Sequence, residues 1–393
     1  MQLFVVNIGE QVSKTYDELL IDLNQPELAC PSSMNTTNIY EFYLQLIVSM
    51  ILDKPFQIKG VGTSDNVYHN PYRFNSIDEV ISRIKMNVHW QLEMETSGTT
   101  GLPKKVTHTF TSLTRNIKMN ERRRADVWGL AYNPTHMAGL QVFFQAFLNK
   151  NTIVNLFGLS RDQVYEQIEK YNVSHISATP TFYKLLLPAK TVFHKVQQIT
   201  FGGEKFVEGL QMEMKKIFPS ARFTNVYAST EAGALFAANG NIFSLSEKNK
   251  SYVKIVEGEL WIHKSVLSES SELKLHDDWY ASGDMVEVIQ EVPLTFKFLA
   301  RKNEMINVGG SKVNPNEVEE LILKLNGVKD VKVFGKENSL MGNILCADVV
   351  SEMVTEKEIK SFLKNHLPGY MVPRIIKFVP EIAMTATGKK SRV

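Results

Sequence analysis

The chain has little cysteine, and what it has is widely separated. Its 393 residues include only two cysteines, Cys30 and Cys346. Two distant cysteines provide neither a disulfide framework nor the ligand spacing of a zinc site. We therefore expect a protein of the reducing cytoplasm.

A strong excess of either charge is also absent, since the formal net charge is only +2. Proteins that follow a nucleic acid backbone carry a larger basic field, so no nucleic acid partner is expected. The run Arg122–Arg124 is short, and we interpret it as a solvated helix face.

Long hydrophobic runs are missing as well. The segment 1–7 lacks the basic start and long apolar core of a signal peptide. The most apolar window, residues 44–52, is too short to span a bilayer. The sequence therefore predicts no membrane span.

The most informative stretch is TSGTTGLPKK, which begins at Thr96 and combines glycines, hydroxyls and lysines. Glycines allow consecutive backbone N–H groups to point into one concavity, and a lysine supplies countercharge, so the stretch is typical of a phosphate-binding loop. A solvated connector is the alternative. The lysine does not directly follow the last glycine, so the loop departs from the Walker pattern of kinases and ATPases.

Strand and helix patterns alternate through the middle of the chain. Apolar strand patterns at 126–131, 152–155, 175–178, 198–201 and 222–226 are separated by helical patterns at 140–148, 161–171 and 208–217. Such alternation predicts a parallel sheet covered by helices, with ligand sites at the carboxyl ends of the strands. The preceding part has helical patterns at 15–23, 39–52, 77–85 and 111–123, a loop at 59–75 and a strand at 89–94.

The pattern changes after residue 235. Short β-rich runs predict a small antiparallel barrel or sheet, and the last part of the chain predicts a compact α+β domain. The predicted fold class is therefore α/β, with a large N-terminal domain of parallel α/β subdomains plus a small β-barrel, followed by a small α+β C-terminal domain. We place the boundary between residues 1–302 and 303–393.

Several polar segments follow predicted strands, where a ligand site is expected. Gly202-Gly203-Glu204 can let a flat ligand lie against the backbone, or can form a simple turn. The segment 225–231 ends in a carboxylate that can hold Mg²⁺, although, taken alone, Tyr227 is typical of a core residue and Glu231 of the start of a helix.

Three more candidates have equally plain alternatives. Asp284 can accept from ribose hydroxyls or belong to an ordinary turn. His136 is a lone histidine, which is most often structural. Gly388-Lys389-Lys390 has the character of a frayed basic tail.

Taken in order, these segments resemble one known set of motifs. TSGTTGLPKK, HMAG, FGGE, NVYASTE, WYASGD, FLARKNEMINVGGSKVNPNEVEE and TATGKK follow one another along the chain. They resemble the motifs of the adenylate-forming superfamily of acyl- and aryl-CoA synthetases, carrier-protein adenylation domains and luciferases. The resemblance runs from about residue 90 to the C-terminus. Members usually carry a longer segment before the phosphate loop, so a condensed N-terminal part is expected.

The resemblance implies a role for each matching residue. Phosphates of ATP would be bound by Thr96, Ser97, Gly98, Thr99, Thr100, Gly101 and Lys104. Adenine and the acyl pocket would be bordered by Gly202, Gly203, Glu204, Asn225, Tyr227, Ala228 and Ser229, with Tyr227 stacked on adenine and Asn225 bonded to its amine. Catalytic groups would be Thr230 and Glu231 at the α-phosphate, Glu231 also binding Mg²⁺, together with His136 at the acyl pocket and Lys389. Asp284 and Arg301 would bind the ribose.

Carboxylate attack on the α-phosphate brings two anions together, so Mg²⁺ and a lysine must offset the repulsion. The resemblance implies that the C-terminal domain is mobile and rotates about a hinge, here Asn303, before the thiol reacts.

The predicted function is an ATP-dependent ligase that joins a small-molecule carboxylic acid, aryl or fatty, to a thiol through an acyl-adenylate. Coenzyme A is the expected acceptor, because Gly309 and Gly310 resemble the double-glycine form frequent in CoA ligases and would line a pantetheine tunnel. A phosphopantetheinyl carrier protein is the alternative acceptor. Other possibilities are an inactive nucleotide-binding regulator and a luciferase-like oxygenase.

Overall fold

A computed structural model describes residues 2–34, 38–58, 66–96, 104–206, 208–270, 273–338 and 342–382. The chain divides into two compact units. The first comprises Met1–Tyr252 and Ile262–Tyr280, and the second comprises Val253–Trp261 and Ala281–Val393. The predicted domain boundary at residue 303 falls inside the second unit and stays a prediction.

The strands of the described residues are β1 (Leu3–Asn7), β2 (Val12–Thr15), β3 (Glu27–Ala29), β4 (Ser33–Met34), β5 (Phe56–Ile58), β6 (Val67–His69), β7 (Gln91–Thr96), β8 (Lys104–Thr109), β9 (Val127–Leu130), β10 (Thr152–Asn155), β11 (His175–Ala178), β12 (Gln198–Gly202), β13 (Arg222–Ser229), β14 (Gly233–Ala238), β15 (Ile242–Ser244), β16 (Val253–Val256), β17 (Glu259–His263), β18 (Leu275–His276), β19 (Trp279–Glu291), β20 (Leu294–Arg301), β21 (Ile306–Val308), β22 (Ser311–Val313), β23 (Val328–Asn338), β24 (Gly342–Ser351) and β25 (Ile375–Phe378). The α-helices of the described residues are α1 (Tyr16–Leu23), α2 (Ile39–Ile51), α3 (Ile77–Ile84), α4 (Phe110–Thr114), α5 (Met137–Leu148), α6 (Arg161–Lys170), α7 (Pro180–Leu185), α8 (Glu208–Ile217), α9 (Glu247–Lys250), α10 (Pro315–Ile322) and α11 (Glu356–Lys364).

The first unit is built around an eight-stranded sheet with the strand order β14-β13-β12-β11-β9-β10-β1-β2. Six adjacent strands run parallel to one another, namely β13, β12, β11, β9, β10 and β1. The edge strands β14 and β2 are antiparallel. Every residue of β10 and β11 is buried, as expected where helices cover both faces of a parallel sheet.

The two faces of this sheet belong to two apolar cores. Ile153 and Val154 are consecutive in β10, so their side chains point to opposite faces. Ile153 packs in a core with residues of α1, α2, α3 and α5, and Val154 packs in a core with residues of α6, α7 and α8. In the first core the ring of Tyr43 stacks on that of Phe143, with centroids 4.4 Å apart.

A second sheet of the first unit carries the segment that resembles a phosphate loop. Its strand order is β4-β5-β7-β8, with β4, β5 and β7 parallel and β8 antiparallel to β7. The pairing of β7 with β8 runs from Gln91↔Thr109 to Thr96↔Lys104. Residues 97–103 connect the two strands and lie outside the described residues.

The second unit contains two sheets. In the first, the order is β20-β19-β17-β16, and β19 and β20 form an antiparallel hairpin. In the other, β24 pairs with the antiparallel strands β23 and β21 and with the parallel strand β25. Helices α10 and α11 contribute Val318, Ile322, Ile359 and Leu363 to its apolar core.

The α/β fold class is confirmed, and α8 and β10 begin and end at the predicted residues. The predicted helix over 111–123 is wrong, because only Phe110–Thr114 is α-helical and Glu121–Arg123 is a separate 3₁₀ turn. Polar side chains between them bond elsewhere: the Asn116 amide donates to the carbonyl of Ala234, and Asn120 caps the 3₁₀ turn. The predicted loop 59–75 contains the strand β6.

Candidate active site

The carboxyl ends of β9, β11, β12 and β13 collect many of the predicted site residues in the first unit. Parallel neighbours in a sheet place their carboxyl ends on one edge, so Tyr132, Thr179, Gly202 and Ser229 follow or end strands at that edge. The sequence analysis missed Tyr132. The side chain of Tyr132 is buried, and burial raises the pKa of its hydroxyl. A Cβ on Gly202 would lie 3.0 Å from this hydroxyl.

The Gly202–Glu204 segment ends β12 with a tight turn. Gly203 has a φ of +79°, which favours glycine. Oε2 of Glu204 accepts hydrogen bonds from the backbone N–H of Thr181, at 3.0 Å, and from its hydroxyl, at 2.7 Å. Oε1 is buried without a partner among the described residues. Glu204 therefore orients the first turn of α7 and leaves one acceptor oxygen at the sheet edge.

Strand β13 extends to Ser229, three residues beyond the predicted strand, and contains the residues that resemble the adenine motif. Asn225 is buried, and its amide donates to the carbonyl of Gly240 at 2.9 Å. The half-buried ring of Tyr227 stacks on Phe236 of β14, with centroids 4.9 Å apart and an interplanar angle of 11°. A bulge follows between Tyr227 and Ala228. The stacking contact with Phe236 thus orients the ring of Tyr227.

Thr230 and Glu231 lie in the turn that joins β13 to β14, so the alternative of a helix start at Glu231 is wrong. The Ser229 hydroxyl accepts from the N–H of Ala232 at 3.1 Å inside the turn. The N–H of Ser268 donates to the carbonyl of Glu231 at 2.6 Å. Gly233 closes the turn with a φ of +65°. Contacts from distant parts of the chain therefore hold this turn.

One of those contacts involves His108, which the sequence analysis did not identify. Its Nε2 lies 2.7 Å from the carbonyl oxygen of Thr230, and burial lowers its pKa to about 4. The only sequence signal is a histidine at an inward position of the strand that follows the phosphate-loop motif. That position alone does not reveal a partner 122 residues away.

The strand β8 that carries His108 also holds the segment 266–270. Thr107 and Glu269 exchange two backbone hydrogen bonds of 2.8 and 3.0 Å. The hydroxyl of Ser270 donates to the carbonyl of Lys105 at 2.6 Å. Segment 266–270 therefore lies along β8 and also reaches the Thr230–Glu231 turn through Ser268.

The described ends of the phosphate-loop motif are strand residues. Thr96 ends β7 and Lys104 begins β8, where they pair with each other. Lys105 forms an ion pair with Glu93 across the same hairpin, with the nitrogen and oxygen 3.2 Å apart. Ser97, Gly98, Thr99, Thr100 and Gly101 lie outside the described residues, so their predicted contacts with phosphate stay predictions.

His136 directly precedes α5 and is exposed. Partial desolvation by neighbouring protein atoms lowers its pKa from the ordinary value, which favours a neutral ring. Gly139 in the same element has a packing reason, because a Cβ there would overlap the carbonyl oxygen of Asn133. The HMAG segment thus fits α5 tightly against the preceding loop.

The second unit brings Asp284 and Arg301 together. They face each other in the β19–β20 ladder, and Nε of Arg301 lies 3.2 Å from Oδ1 of Asp284. The alternative of an ordinary turn at Asp284 is wrong, since the residue belongs to β19. Their backbone is fixed instead by sheet contacts, including a 2.7 Å bond from the hydroxyl of Ser282 to the carbonyl of Leu260.

The proposed hinge residue Asn303 lies in an exposed turn after β20. Its neighbour Lys302 forms an ion pair with buried Glu259, at 2.8 Å, which raises the pKa of Lys302. Gly309 and Gly310 have φ values of +58° and +87° and form the two-residue turn between β21 and β22. Two positive φ values explain both glycines as a hairpin requirement. Lys389 lies outside the described residues.

The donor set of the first unit fits magnesium held together with a nucleotide. Among the described residues no group of three or more His, Cys, Asp and Glu side chains could hold a metal ion. Mg²⁺ in nucleotide sites is usually held by one or two carboxylates, phosphate oxygens and water, so a single Glu231 is compatible with it. The buried Ser268 hydroxyl has no partner in the described part of the chain and lies beside the same turn.

The helices of the described ranges are too short or too polar to span a membrane.

Comparison with known families gives two matches. Residues 94–263 match the family described as AMP-binding enzyme, and residues 317–389 match the AMP-binding enzyme C-terminal domain. Together the two matches cover more than half of the chain.

Individual relatives are similar at low identity. The chain is 24% identical over 326 residues to a 2-succinylbenzoate–CoA ligase of Listeria monocytogenes, covering 76% of this chain and 68% of that protein. It is 28% identical over 311 residues to a 3,4-dihydroxybenzoate–[aryl-carrier protein] ligase of Bacillus anthracis, covering 75% and 71%.

Solved structures share the fold. ATP-bound MatB from Rhodopseudomonas palustris matches with a TM-score of 0.76 at 15% identity, covering 99% of this chain and 94% of that one. O-succinylbenzoate coenzyme A synthetase from Bacillus subtilis, in complex with ATP and magnesium, matches with a TM-score of 0.74 at 19% identity, covering 100% and 96%. The chain belongs to the AMP-binding enzyme family and is an ATP-dependent, AMP-forming ligase of the acyl- and aryl-CoA ligase type.

Proposed function

We propose that this ligase activates an aryl or fatty carboxylic acid with ATP and transfers the acyl group to coenzyme A. The observation that carries the proposal is the Thr230–Glu231 turn at the carboxyl edge of the parallel sheet. Its two backbone carbonyls are bonded to His108 and Ser268, which holds a hydroxyl and a carboxylate beside one another. These are the groups that binding an α-phosphate with Mg²⁺ requires.

Adenylation needs the nucleotide held in one orientation before the acid attacks. Tyr227, stacked on Phe236, provides a flat platform for adenine. Residues 97–103, which match the phosphate-loop motif, would supply the contacts with phosphate. Asp284 and Arg301, which form an ion pair, would bind the ribose hydroxyls. Bound Mg²⁺ offsets the negative charge of the phosphates.

In the reaction, a carboxylate oxygen attacks the α-phosphorus and the bond to pyrophosphate breaks. Lys389 stabilises the charge that develops on the bridging oxygen. The thiol then attacks the acyl carbonyl, and AMP leaves with the carboxylate oxygen that joined acyl group and phosphate. His136 borders the carbonyl during both steps.

A phosphopantetheinyl carrier protein is the second candidate acceptor. The aryl-carrier protein ligase from Bacillus anthracis favours this alternative, since it is among the relatives with higher identity to this chain. The same acyl-adenylate serves both acceptors, because each presents the same pantetheine thiol. The two proposals differ only in what surrounds that thiol.

A panel assay tests the proposed function. Pyrophosphate release is measured with fatty, aryl and amino acids, each with coenzyme A, with a phosphopantetheinylated carrier protein or with no thiol. The proposal expects acid-dependent pyrophosphate release and an acyl-CoA product. Thioester formed only on the carrier would support the second candidate, and oxygen consumption with light emission would indicate a luciferase-like reaction.

Substitution of Glu231 by Gln complements the panel, because it removes the carboxylate charge while keeping the shape of the side chain. The expected result is a higher Mg²⁺ concentration for half-maximal turnover. An unchanged Mg²⁺ requirement would remove Glu231 from the site.

A further inference from the structure

His108 is a buried polar side chain to which the family motifs give no role here. It lies in β8 and is 2% exposed. Its Nε2 lies 2.7 Å from the carbonyl oxygen of Thr230, and its Nδ1 lies 3.2 Å from the hydroxyl oxygen of Ser112. The ring therefore connects the strand that leaves the phosphate loop with the turn that carries Glu231.

The partners of the ring define its protonation. A carbonyl oxygen only accepts hydrogen bonds, so Nε2 must carry a hydrogen and donate it to Thr230. Nδ1 of a neutral ring is then an acceptor, and the Ser112 hydroxyl, which also lies 2.9 Å from the carbonyl oxygen of Thr109, is near enough to donate to either. Burial lowers the pKa of His108 to about 4, so the ring is neutral near pH 7. The charged groups that act on it are Arg115 and Glu231.

The turn is bonded on both sides of Glu231. Besides the bond from His108 to Thr230, the N–H of Ser268 donates to the carbonyl of Glu231 at 2.6 Å. After the turn, the amide of Asn116 donates to the carbonyl of Ala234 at 2.5 Å. His108 is the side chain that holds the carbonyl immediately before the carboxylate.

We propose that His108 is a positioning residue for adenylation, which fixes the Thr230–Glu231 turn relative to the strand that leaves the phosphate loop. The inference rests on the function proposed above for Thr230 and Glu231. Loss of the donor leaves a part-buried carbonyl without this hydrogen bond, so the turn shifts to a position where the carbonyl has another partner. The carboxylate would then be displaced from magnesium and the α-phosphate, so the transition state would be stabilised less.

A purely structural role for His108, as a core histidine, predicts a different result. In that case substitution lowers stability and leaves the kinetics of the remaining folded enzyme unchanged. The two readings are separated by kinetic constants measured on folded protein and by rescue with a side chain that retains the donor.

Three variants of His108 provide that separation. His108→Leu removes the donor and keeps an apolar side chain of similar size. His108→Gln places an amide nitrogen near the position of Nε2 and retains the donor to Thr230. His108→Asn places its amide near the position of Nδ1, where it cannot replace that bond.

His175 offers a matched control in the same unit. It is also buried, with a pKa lowered to about 4 by burial, and its Nδ1 lies 2.9 Å from the hydroxyl of Ser174. It begins β11, at the opposite end of the strands from the proposed site. His175→Leu should therefore lower the thermal unfolding temperature without changing the kinetics at permissive temperature.

The assay is acid-dependent exchange of pyrophosphate into ATP on full-length protein, with Mg²⁺ varied. For His108→Leu the inference expects kcat about tenfold lower, the equivalent of about 1.4 kcal/mol, and a Mg²⁺ half-saturation several-fold higher, with the KM of the acid within about twofold. His108→Gln should recover most of kcat and His108→Asn should not. Unchanged kcat and Mg²⁺ dependence in His108→Leu, or no recovery in His108→Gln, would overturn the inference.

Calorimetric titration with Mg-ATP separates this inference from the proposed function. If wild-type protein binds Mg-ATP but exchanges no pyrophosphate with any acid, the proposed function fails. The inference is then decided by affinity: weaker binding in His108→Leu with recovery in His108→Gln supports it, and equal affinity overturns it. Wild-type protein that binds no Mg-ATP overturns both.

Discussion

Replacement of Tyr227 by Ala should raise the KM for ATP about 5- to 150-fold. Stacking of a base on an aromatic side chain is worth about 1–3 kcal/mol, and each 1.36 kcal/mol is a factor of ten. The ring is already oriented by Phe236, with centroids 4.9 Å apart and planes inclined by 11°, so little freedom is lost when adenine binds. The full stacking energy is therefore available for binding.

Pyrophosphate exchange at saturating acid and Mg²⁺ measures this effect, with ATP varied. Tyr227→Phe is the control, because it keeps the ring and removes only the hydroxyl, so its KM should stay within about twofold of wild type. The thermal unfolding temperature of each variant should be recorded, since loss of the aromatic pair itself costs about 0.5–1.5 kcal/mol. An unchanged KM for ATP in Tyr227→Ala, or an equal increase in Tyr227→Phe, would refute the stacking role.

Four further changes test other parts of the account. Lys389→Ala should slow adenylate formation about 10²–10³-fold and spare thioester formation from supplied acyl-adenylate, whereas equal loss of both steps would contradict the assignment. Asn303→Pro should impair thioester formation more than adenylation, and undiminished thioester production would place the hinge elsewhere. Gly139→Ala should lower the free energy of unfolding, measured with denaturant, by about 1–3 kcal/mol, because its Cβ overlaps a backbone carbonyl. Gly209→Ala is the control and should not destabilise the protein, because a Cβ there meets nothing within 4 Å. Burial lowers the pKa of His175 to about 4, from about 6.5 in the unfolded chain. The free energy of unfolding should therefore fall by about 1.4 kcal/mol per pH unit as the pH drops from 6.5 towards 4. Denaturant unfolding of His175→Gln at pH 7 and pH 5 should lack this part of the pH dependence.

The parallel sheet of the first unit could be predicted from local patterns. Buried strands such as β10 and amphipathic helices such as α8 repeat their periodicity within a few residues, and the structure has both at the predicted positions. Strand β1 was not predicted, although it pairs with β10 inside the sheet. A short apolar segment near a terminus gives no local sign of which distant strand will pair with it.

Polar residues with distant partners caused the main errors in secondary structure. Asn116 interrupts the helical pattern because its amide bonds with the carbonyl of Ala234, 118 residues away. An ordinary turn was an alternative for Asp284, because Ser282 and Gly283 are common turn residues. The ladder with Arg301 takes precedence over that local preference.

The candidate site was predictable where a residue type is tied to a motif, and hidden where its role depends on a tertiary contact. Glu231 and Tyr227 were identified by their order among the motifs. His108 was not, because its function depends on a carbonyl oxygen that any residue at position 230 would provide. Gly309 and Gly310 illustrate the converse, since two positive φ values in a hairpin already require them.

In the proposed reaction the carboxylate of an acid attacks the α-phosphate of ATP, and the acyl group is then transferred to a thiol. The most direct measurement uses an acid that supports pyrophosphate release, labelled with ¹⁸O in its carboxylate, followed by mass spectrometry of the nucleotide product. We expect that AMP carries one ¹⁸O atom from the carboxylate and that the thioester forms in equal amount. Unlabelled AMP, or ¹⁸O recovered in inorganic phosphate with ADP as the nucleotide product, would contradict it.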